Sequence, residues 1–397
     1  MSPFAYYRLA LILGALTAMG PLAIDMYLPA LPTLAREFGT EPGVVQVSLA
    51  VYFAGLSIGQ AFYGPMSDRV GRKPVLYVGL VVFLVASLGC AWTTRIETLV
   101  ALRFLQALGG CAPLVVPRAV VRDHFDQQGS VRMLSVLMLV MGLAPILAPL
   151  IGGQLLIVFG WRAVFWVLAA YATVWLVLVA LFLPESLPAD RRQRQPIGEV
   201  LTTYARLLRD RTYMGRVVSG GLLFAGLLAY VSGSPFVFIE LFGVAPERFG
   251  LFFGANALGI VAASQINRWL APRVDARRVV SVTLSVAMVA GLLVVVDAST
   301  GFGGFAGILV PLFFFIACHG FVLPNTTALA MSPHGRVAGS ASALLGTLHF
   351  MLAAAAGSLV GAAANGTAVP MAAVIAGCGT LAYATHYLTS RPSLTNH

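Results

Sequence analysis

The 397-residue sequence predicts an all-α membrane protein of twelve transmembrane helices in two six-helix pseudo-repeats. Three observations predict it. The chain is 59% hydrophobic and 10% charged, whereas about a quarter of a soluble domain is charged, and its mean hydropathy is +0.88. Apolar runs of about 20 residues, the length that crosses a bilayer, recur from the first line to the last. One long polar stretch in the middle divides those runs six and six.

Taken in order, the runs place spans near 8–30, 44–65, 75–93, 98–120, 133–158 and 162–183 in the first half. In the second half they lie near 213–239, 248–269, 279–297, 303–328, 337–361 and 368–388. Stretches such as "VLYVGLVVFLVASLGCAW" are continuously apolar. Helices fit them, since barrel strands would alternate in polarity over ~10 residues. The first run, from about Tyr7, is too long for a signal-peptide core and lacks an A-x-A-like cleavage site, so it is expected to be a retained span. The corresponding domains are a bundle over 1–183, a linker over 184–212, a bundle over 213–388 and a tail over 389–397. Within the linker, Val200, Leu201, Tyr204, Leu207 and Leu208 recur at helical spacing opposite Arg206, Arg209 and Arg211. That pattern predicts an amphipathic helix lying on the inner leaflet.

The net charge of +10 is explained by topology rather than by nucleic acid. With the N-terminus cytoplasmic, eighteen of the 25 Lys and Arg residues fall in inner loops and only Arg36, Arg95, Arg162 and Arg248 in outer ones. Positive loops favour the cytoplasmic side, so both termini are expected there. The four cysteines are scattered without paired spacing and the six histidines do not cluster with acids, so neither a disulfide framework nor a metal centre is expected. Nor does the sequence offer a nucleophile and base, or a metal pair, that would make an enzyme.

Several stretches carry more specific chemistry. "GPMSDRVGRKP" combines Gly64 and Pro65, read as ending the second span, with Asp68 among Arg69, Arg72 and Lys73 after Gly71. So short a charged clasp can pair internally or cap a neighbouring helix. After the eighth span the chain reads "APRVDARRVV" at the matching place, and the first and seventh spans are interrupted alike, by "MGPLAID" and "SGSPFVFIE". Interrupted segments at corresponding places in two halves point to a transport site between them. In the fifth span "GLAPILAPLIGG" brings together Gly142, Pro145, Pro149, Gly152 and Gly153, a helix that packs closely and bends.

The loop resembles the signature G-x-x-x-D-R-x-G-R-K/R of the major facilitator superfamily. "LRFLQALGG", with Arg103, resembles that superfamily's fourth-span signature. The fifth-span stretch resembles the antiporter pattern G-x(3)-G-P-x(2)-G-G, with Ala148 standing for its second Gly. With "AIDMYLPALP" and "RAVVRD", the chain looks like the Bcr/CflA group of bacterial drug:proton antiporters. The resemblance implies the major facilitator fold and gating roles for Gly64, Asp68, Arg69, Gly71, Arg72 and Lys73, with the acid near the start of the eleventh span. It also implies export of amphenicol- or bicyclomycin-like and other lipophilic drugs, driven by proton influx without a bound cofactor. A uniporter or proton symporter for a metabolite is the alternative, because the loop signature is common to the superfamily. A monomer in the bilayer suffices, with drugs and protons as its partners.

An ionisable group inside a span costs about 3 kcal/mol even on lenient scales, so it marks function by default. Among fifteen acids Asp25 alone lies well inside a predicted span, while Glu240 and Asp297 fall at span ends. Counting about 1.5 Å per residue from Arg8 puts Asp25 in the outer part of the bilayer. Arg103 falls at a similar depth, so the two are expected to share a level and to couple proton and substrate. Pro21 and Pro29 mark where the span can bend. Polar candidates for the cavity wall are Tyr52, Gln60, Gln106, Tyr230, Asn256 and Asn325, with His319 and His349 as possible relays.

Overall fold

A computed structural model describes residues 3–192 and 197–390. Among these residues the chain is helical, with no strand, and twelve helices or helix pairs are long and apolar enough to cross a membrane. The first six follow one another as α1 (Pro3–Asp25) with α2 (Leu31–Glu37), α3 (Pro42–Val70), α4 (Arg72–Trp92), α5 (Ile96–His124), α6 (Gln127–Phe159) and α7 (Arg162–Phe182). A short helix, α8 (Ile197–Arg209), precedes α9 (Arg211–Pro235), α10 (Pro246–Leu270), α11 (Ala276–Thr300), α12 (Gly304–Ala317) with α13 (His319–Met331), α14 (Ala338–Ala362) and α15 (Val369–Ser390).

Two compact units result, one of Met1–Pro196 with Val244–Gly254, the other of Ile197–Gly243 with Ala255–His397. In the first, small residues bring helices into close contact: a Cβ on Gly109 of α5 would collide with the backbone of Phe83 and the carbonyl of Gly79 on α4. Without a hydrophobic driving force between helices in lipid, such close packing is what holds them together.

Proline chemistry sets the irregularities. Pro29 lacks the N–H that would bond the carbonyl of Asp25 four residues earlier, and its ring crowds that carbonyl. Accordingly α1 ends at Asp25, a 3₁₀ turn covers Leu28–Ala30, and the helix resumes as α2. The first span therefore runs from Tyr6 to Glu37, past the expected end at 30, because Leu31, Leu34 and Ala35 are buried while Arg36 and Glu37 at its end are exposed. In the second unit Pro235 ends α9, and Phe236–Leu241 continue as a π-helical segment.

The second span corrects a sequence expectation. Gly64 and Pro65 do not end it, since α3 runs on to Val70 with Pro65 inside. The Ser67 hydroxyl donates to the Gly64 carbonyl at 2.9 Å, and the chain turns only at Gly71, whose φ of 107° suits glycine. The charged loop is thus a single glycine between two helices.

The α8 helix forms where the linker pattern predicts one. Leu207 packs with Tyr213, Val217 and Leu344 of the second unit, with Tyr204 beside them, whereas Leu201 is 60% exposed and Leu208 48% exposed. Residues 193–196 and 391–397, which include Arg194 and most of the expected tail, lie outside the described residues.

Candidate functional site

Arg103 lies on the inward face of α5 and is wholly buried. Its guanidinium is 4.2 Å from the ring centre of Tyr52 on α3, 4.5 Å from that of Tyr27 just after α1, and 5.9 Å from that of Phe165 on α7. A desolvated cation over an aromatic face gains about 2 kcal/mol. One nitrogen, Nη1, donates to Gln106 Oε1 at 2.5 Å; Gln106 Nε2 donates to Ser87 Oγ at 2.7 Å, and Ser87 donates to the Phe83 carbonyl. The Tyr27 hydroxyl is 3.0 Å from Ser48 Oγ, which itself donates to the Val45 carbonyl. The rings and the amide chain hold the guanidinium in place. Even so, its Nε and Nη2 have no hydrogen-bond partner among the described residues.

Asp25 ends α1 and is 5% exposed. No hydrogen bond or ion pair holds its carboxyl among the described residues, and it does not pair with Arg103. Instead Arg103 stacks on Tyr27, two residues further along the chain, and Tyr52 lies within electrostatic reach of both charges. Twelve residues of the first span follow Asp25, about 18 Å at a helical rise, so the acid lies in the interior of the span rather than at its end.

The fifth-span motif meets this turn directly. A Cβ on Gly152 of α6 would collide with the backbone carbonyl of Met26, so glycine is what lets α6 lie against the chain immediately after Asp25. Gly153 approaches the backbone of Pro246 and Glu247 at the start of α10 in the same way, within the first unit. Ala148 is fully buried and Pro145 and Pro149 lie inside the helix.

At the opposite end of this unit the charged turn forms a network. Arg72 is 4% exposed; it donates through Nη1 to Asp68 at 2.5 Å and to Ser67 at 2.8 Å, and through Nε to Asp123 at 2.9 Å. Glu185, just beyond α7, accepts from the backbone nitrogens of Arg72 and Lys73 at 2.9 and 3.1 Å. A carboxylate there satisfies orphan N–H groups and complements the positive end of the α4 dipole. Lys73 Nζ donates to the Ala180 carbonyl. Sequence reading names Asp68 and Arg72 but misses Asp123 and Glu185. Their only signal is that they are acids at the ends of neighbouring spans, in "RAVVRD" and "PESL".

The remaining candidates divide. Tyr52 and Gln106 belong to the Arg103 cluster and are fully buried, while Gln60 is half-buried on α3. In the second unit Asn256 donates to the Tyr230 hydroxyl at 3.0 Å, and Asn256 Oδ1 and the hydroxyls of Ser232 and Ser234 are buried without hydrogen-bond partners among the described residues. Asn325 donates to Asn267 at 2.7 Å and to the Phe321 carbonyl at 2.8 Å. Both ring nitrogens of His319, at the break between α12 and α13, lie 2.8 Å from carbonyl oxygens, those of Ile316 and Leu223. A neutral imidazole has one N–H, so it donates to one of these two carbonyls at a time. His349 contacts the Val217 carbonyl at 3.1 Å.

Twelve spanning helices in two units, with a buried acid and a buried arginine in the first, define a polytopic membrane transporter. The chain matches the Major Facilitator Superfamily over residues 13–385 and belongs to that family. It is 38% identical over 329 residues to the uncharacterized MFS-type transporter YdgK of Bacillus subtilis, covering 82% of each chain. It is 30% identical to a bicyclomycin resistance protein homolog of Haemophilus influenzae, covering 81% of this chain and 80% of that one. The resemblance to the Bcr/CflA group agrees with that relative. Among solved structures, a D-xylose-proton symporter has the same fold, with a TM-score of 0.76 at 14% identity, covering 96% of this chain and 97% of that one. The chain is a transporter and not an enzyme.

Proposed function

We propose that the protein is a drug:proton antiporter of the inner membrane, both termini cytoplasmic, exporting lipophilic compounds of the amphenicol and bicyclomycin type as a monomer. The observation that carries this reading is Asp25: a carboxyl 95% buried within a span, with nothing among the described residues to pair it, two residues before Tyr27 of the aromatic box around Arg103. An ionisable group inside a span is costly and marks function by default, and this carboxyl is the one we assign to carry the proton. Tyr52, whose ring carries the Arg103 guanidinium, is the side chain we assign to link that cation to the proton step.

In the cycle, Asp25 takes a proton when open to the outside, drug departs, the bundle reorients, and on the inside the proton is exchanged for new drug. The unpartnered atoms of Ser232, Ser234 and Asn256 supply polar contacts to the passing compound. The Asp68, Arg72, Asp123 and Glu185 network fixes one end of the first unit as the gate moves. The proton gradient is the energy source and no cofactor is required.

Transport into proteoliposomes under an imposed pH gradient, run over a drug panel, tests the reading. Accumulation on the acidic side, opposite to the proton flow and reversing when the gradient is reversed, supports it. Transport that ignores the gradient for every compound moves the assignment to a uniporter, and co-directional movement with protons to a symporter.

A further inference from the structure

The second unit holds a cavity of about 170 Å³ at the ends of α9, α11, α13 and α15 that the transport reading does not use. Its wall includes Thr212 and Arg216 of α9, Arg277 of α11, Thr326 of α13, and His386 and Thr389 of α15. Its chemistry is lopsided. Arg216 and Arg277 are close enough to repel each other, and neither forms an ion pair among the described residues. Asp210 is the acid whose charge reaches Arg216, but it caps α9 by accepting from Thr212 N and Tyr213 N and lies 3.2 Å from His334 Nε2. Arg216 keeps its place by donating through Nη1 to the Leu329 carbonyl, at the last turn of α13.

The other polar groups narrow the ligand further. Thr326 and Thr389 spend their hydroxyl protons on the carbonyls of Val322 and Thr385, so towards the cavity they can only accept. Ser281 donates to the Arg277 carbonyl at 2.9 Å and lies 2.8 Å from His386 Nε2; with its proton spent, His386 must be the donor in that contact. The other ring nitrogen, Nδ1, makes no hydrogen bond among the described residues. The cavity therefore offers cationic donors beside acceptors. That set matches an anion which also carries a hydroxyl hydrogen, and bare sulfate or chloride would leave the acceptors unmatched.

We propose that this cavity binds a hydroxyl-bearing phosphate, with Arg216 and Arg277 on the anionic oxygens and the threonine hydroxyls or His386 Nδ1 receiving the hydroxyl hydrogen. The group neutralises the arginine pair and ties the ends of four helices together. Hydrogen phosphate in solution and the phosphoglycerol headgroup of a lipid share this chemistry. The cavity lies within one unit and involves neither Asp25 nor Arg103, so its occupancy stands apart from the drug cycle.

The test uses the purified full chain in phosphate-free detergent buffer. Inorganic phosphate should raise the thermal unfolding temperature of the parent, and sulfate should need about tenfold higher concentration for the same effect, the cost of a mismatched hydrogen bond. Arg277→Gln should reduce the phosphate response about tenfold, with partial recovery in Arg277→Lys; Arg277 is exposed, so the fold tolerates the change. Native mass spectrometry after exposure to phosphatidylglycerol or phosphatidylcholine separates the sources. One phosphatidylglycerol retained by the parent and lost in Arg277→Gln assigns the site to a lipid, whereas a phosphate response without retained lipid assigns it to the free anion. An equal response to phosphate and sulfate, an unchanged response in Arg277→Gln, or no response together with no retained lipid overturns the proposal.

Discussion

Replacing Asp25 by Asn removes the proposed proton carrier while leaving its volume and polarity almost unchanged. The structural cost should be small, because the carboxyl makes no hydrogen bond or ion pair that Asn would lose among the described residues. An uncompensated charge in a span costs about 3 kcal/mol, so the neutral amide is if anything easier to bury. The midpoint of thermal unfolding in detergent should therefore stay within about 4 °C of the parent. The functional cost should be complete. One pH unit is worth about 1.4 kcal/mol per proton, so a single exchanged proton supports a drug gradient of at most about tenfold per unit, and two protons about a hundredfold. In proteoliposomes with an imposed gradient of about one unit, the parent should approach one of these ceilings. Asp25→Asn should reach no gradient at all while still exchanging labelled for unlabelled drug. A variant that keeps a pH-driven gradient of the parental size would refute Asp25 as the carrier, and one that unfolds would refute the claim that its carboxyl is unpartnered.

Three further outcomes follow from the same geometry. Gly152→Ala should lower stability by about 1–3 kcal/mol and slow transport, because the new methyl meets the Met26 carbonyl, and a thermal melt beside an uptake assay reads both effects. Tyr52→Phe should leave the melt unchanged, since the hydroxyl has no hydrogen-bond partner among the described residues, yet shift the pH at which uptake is half-maximal; an unshifted profile would remove Tyr52 from the coupling path. Asp123→Asn should cost about 3 kcal/mol or more of stability, because it leaves Arg72 buried with only Asp68 to pair it, and the loss should show as a lower unfolding temperature.

Much of the fold was legible from the apolar runs, because each span must satisfy a length fixed by the bilayer, and proline and glycine mark where helices bend. The ends were less legible. Pro65 reads as a terminator, yet a proline forfeits a single backbone hydrogen bond, here the one toward the Ala61 carbonyl, and α3 runs on through it to Val70. Likewise α2 looks like a loop because Thr33, Arg36 and Glu37 are polar, and its buried leucines count only once the helix has turned at Pro29. At the site, depth singles out Asp25 and Arg103, and both are buried within spanning helices. Their separation could not be read, because the aromatic box depends on Tyr27, Tyr52 and Phe165 converging from three parts of the chain. Gln106 looked like a cavity residue for the same reason: a sequence shows that an amide lies at membrane depth, not that Arg103 and Ser87 occupy it.

The cap that Glu185 places on α4 has a consequence for how the chain is made. The acid and the amide it holds are 113 residues apart. At about 5–20 residues per second a ribosome needs roughly 6–23 s to pass from one to the other. For that interval the backbone N–H groups at the start of α4 wait for their last partner at the membrane surface, and the first half closes only as its sixth span leaves the ribosome. A nascent chain stalled before residue 185 should therefore be open to protease at Gly71, and one stalled some tens of residues later should be protected.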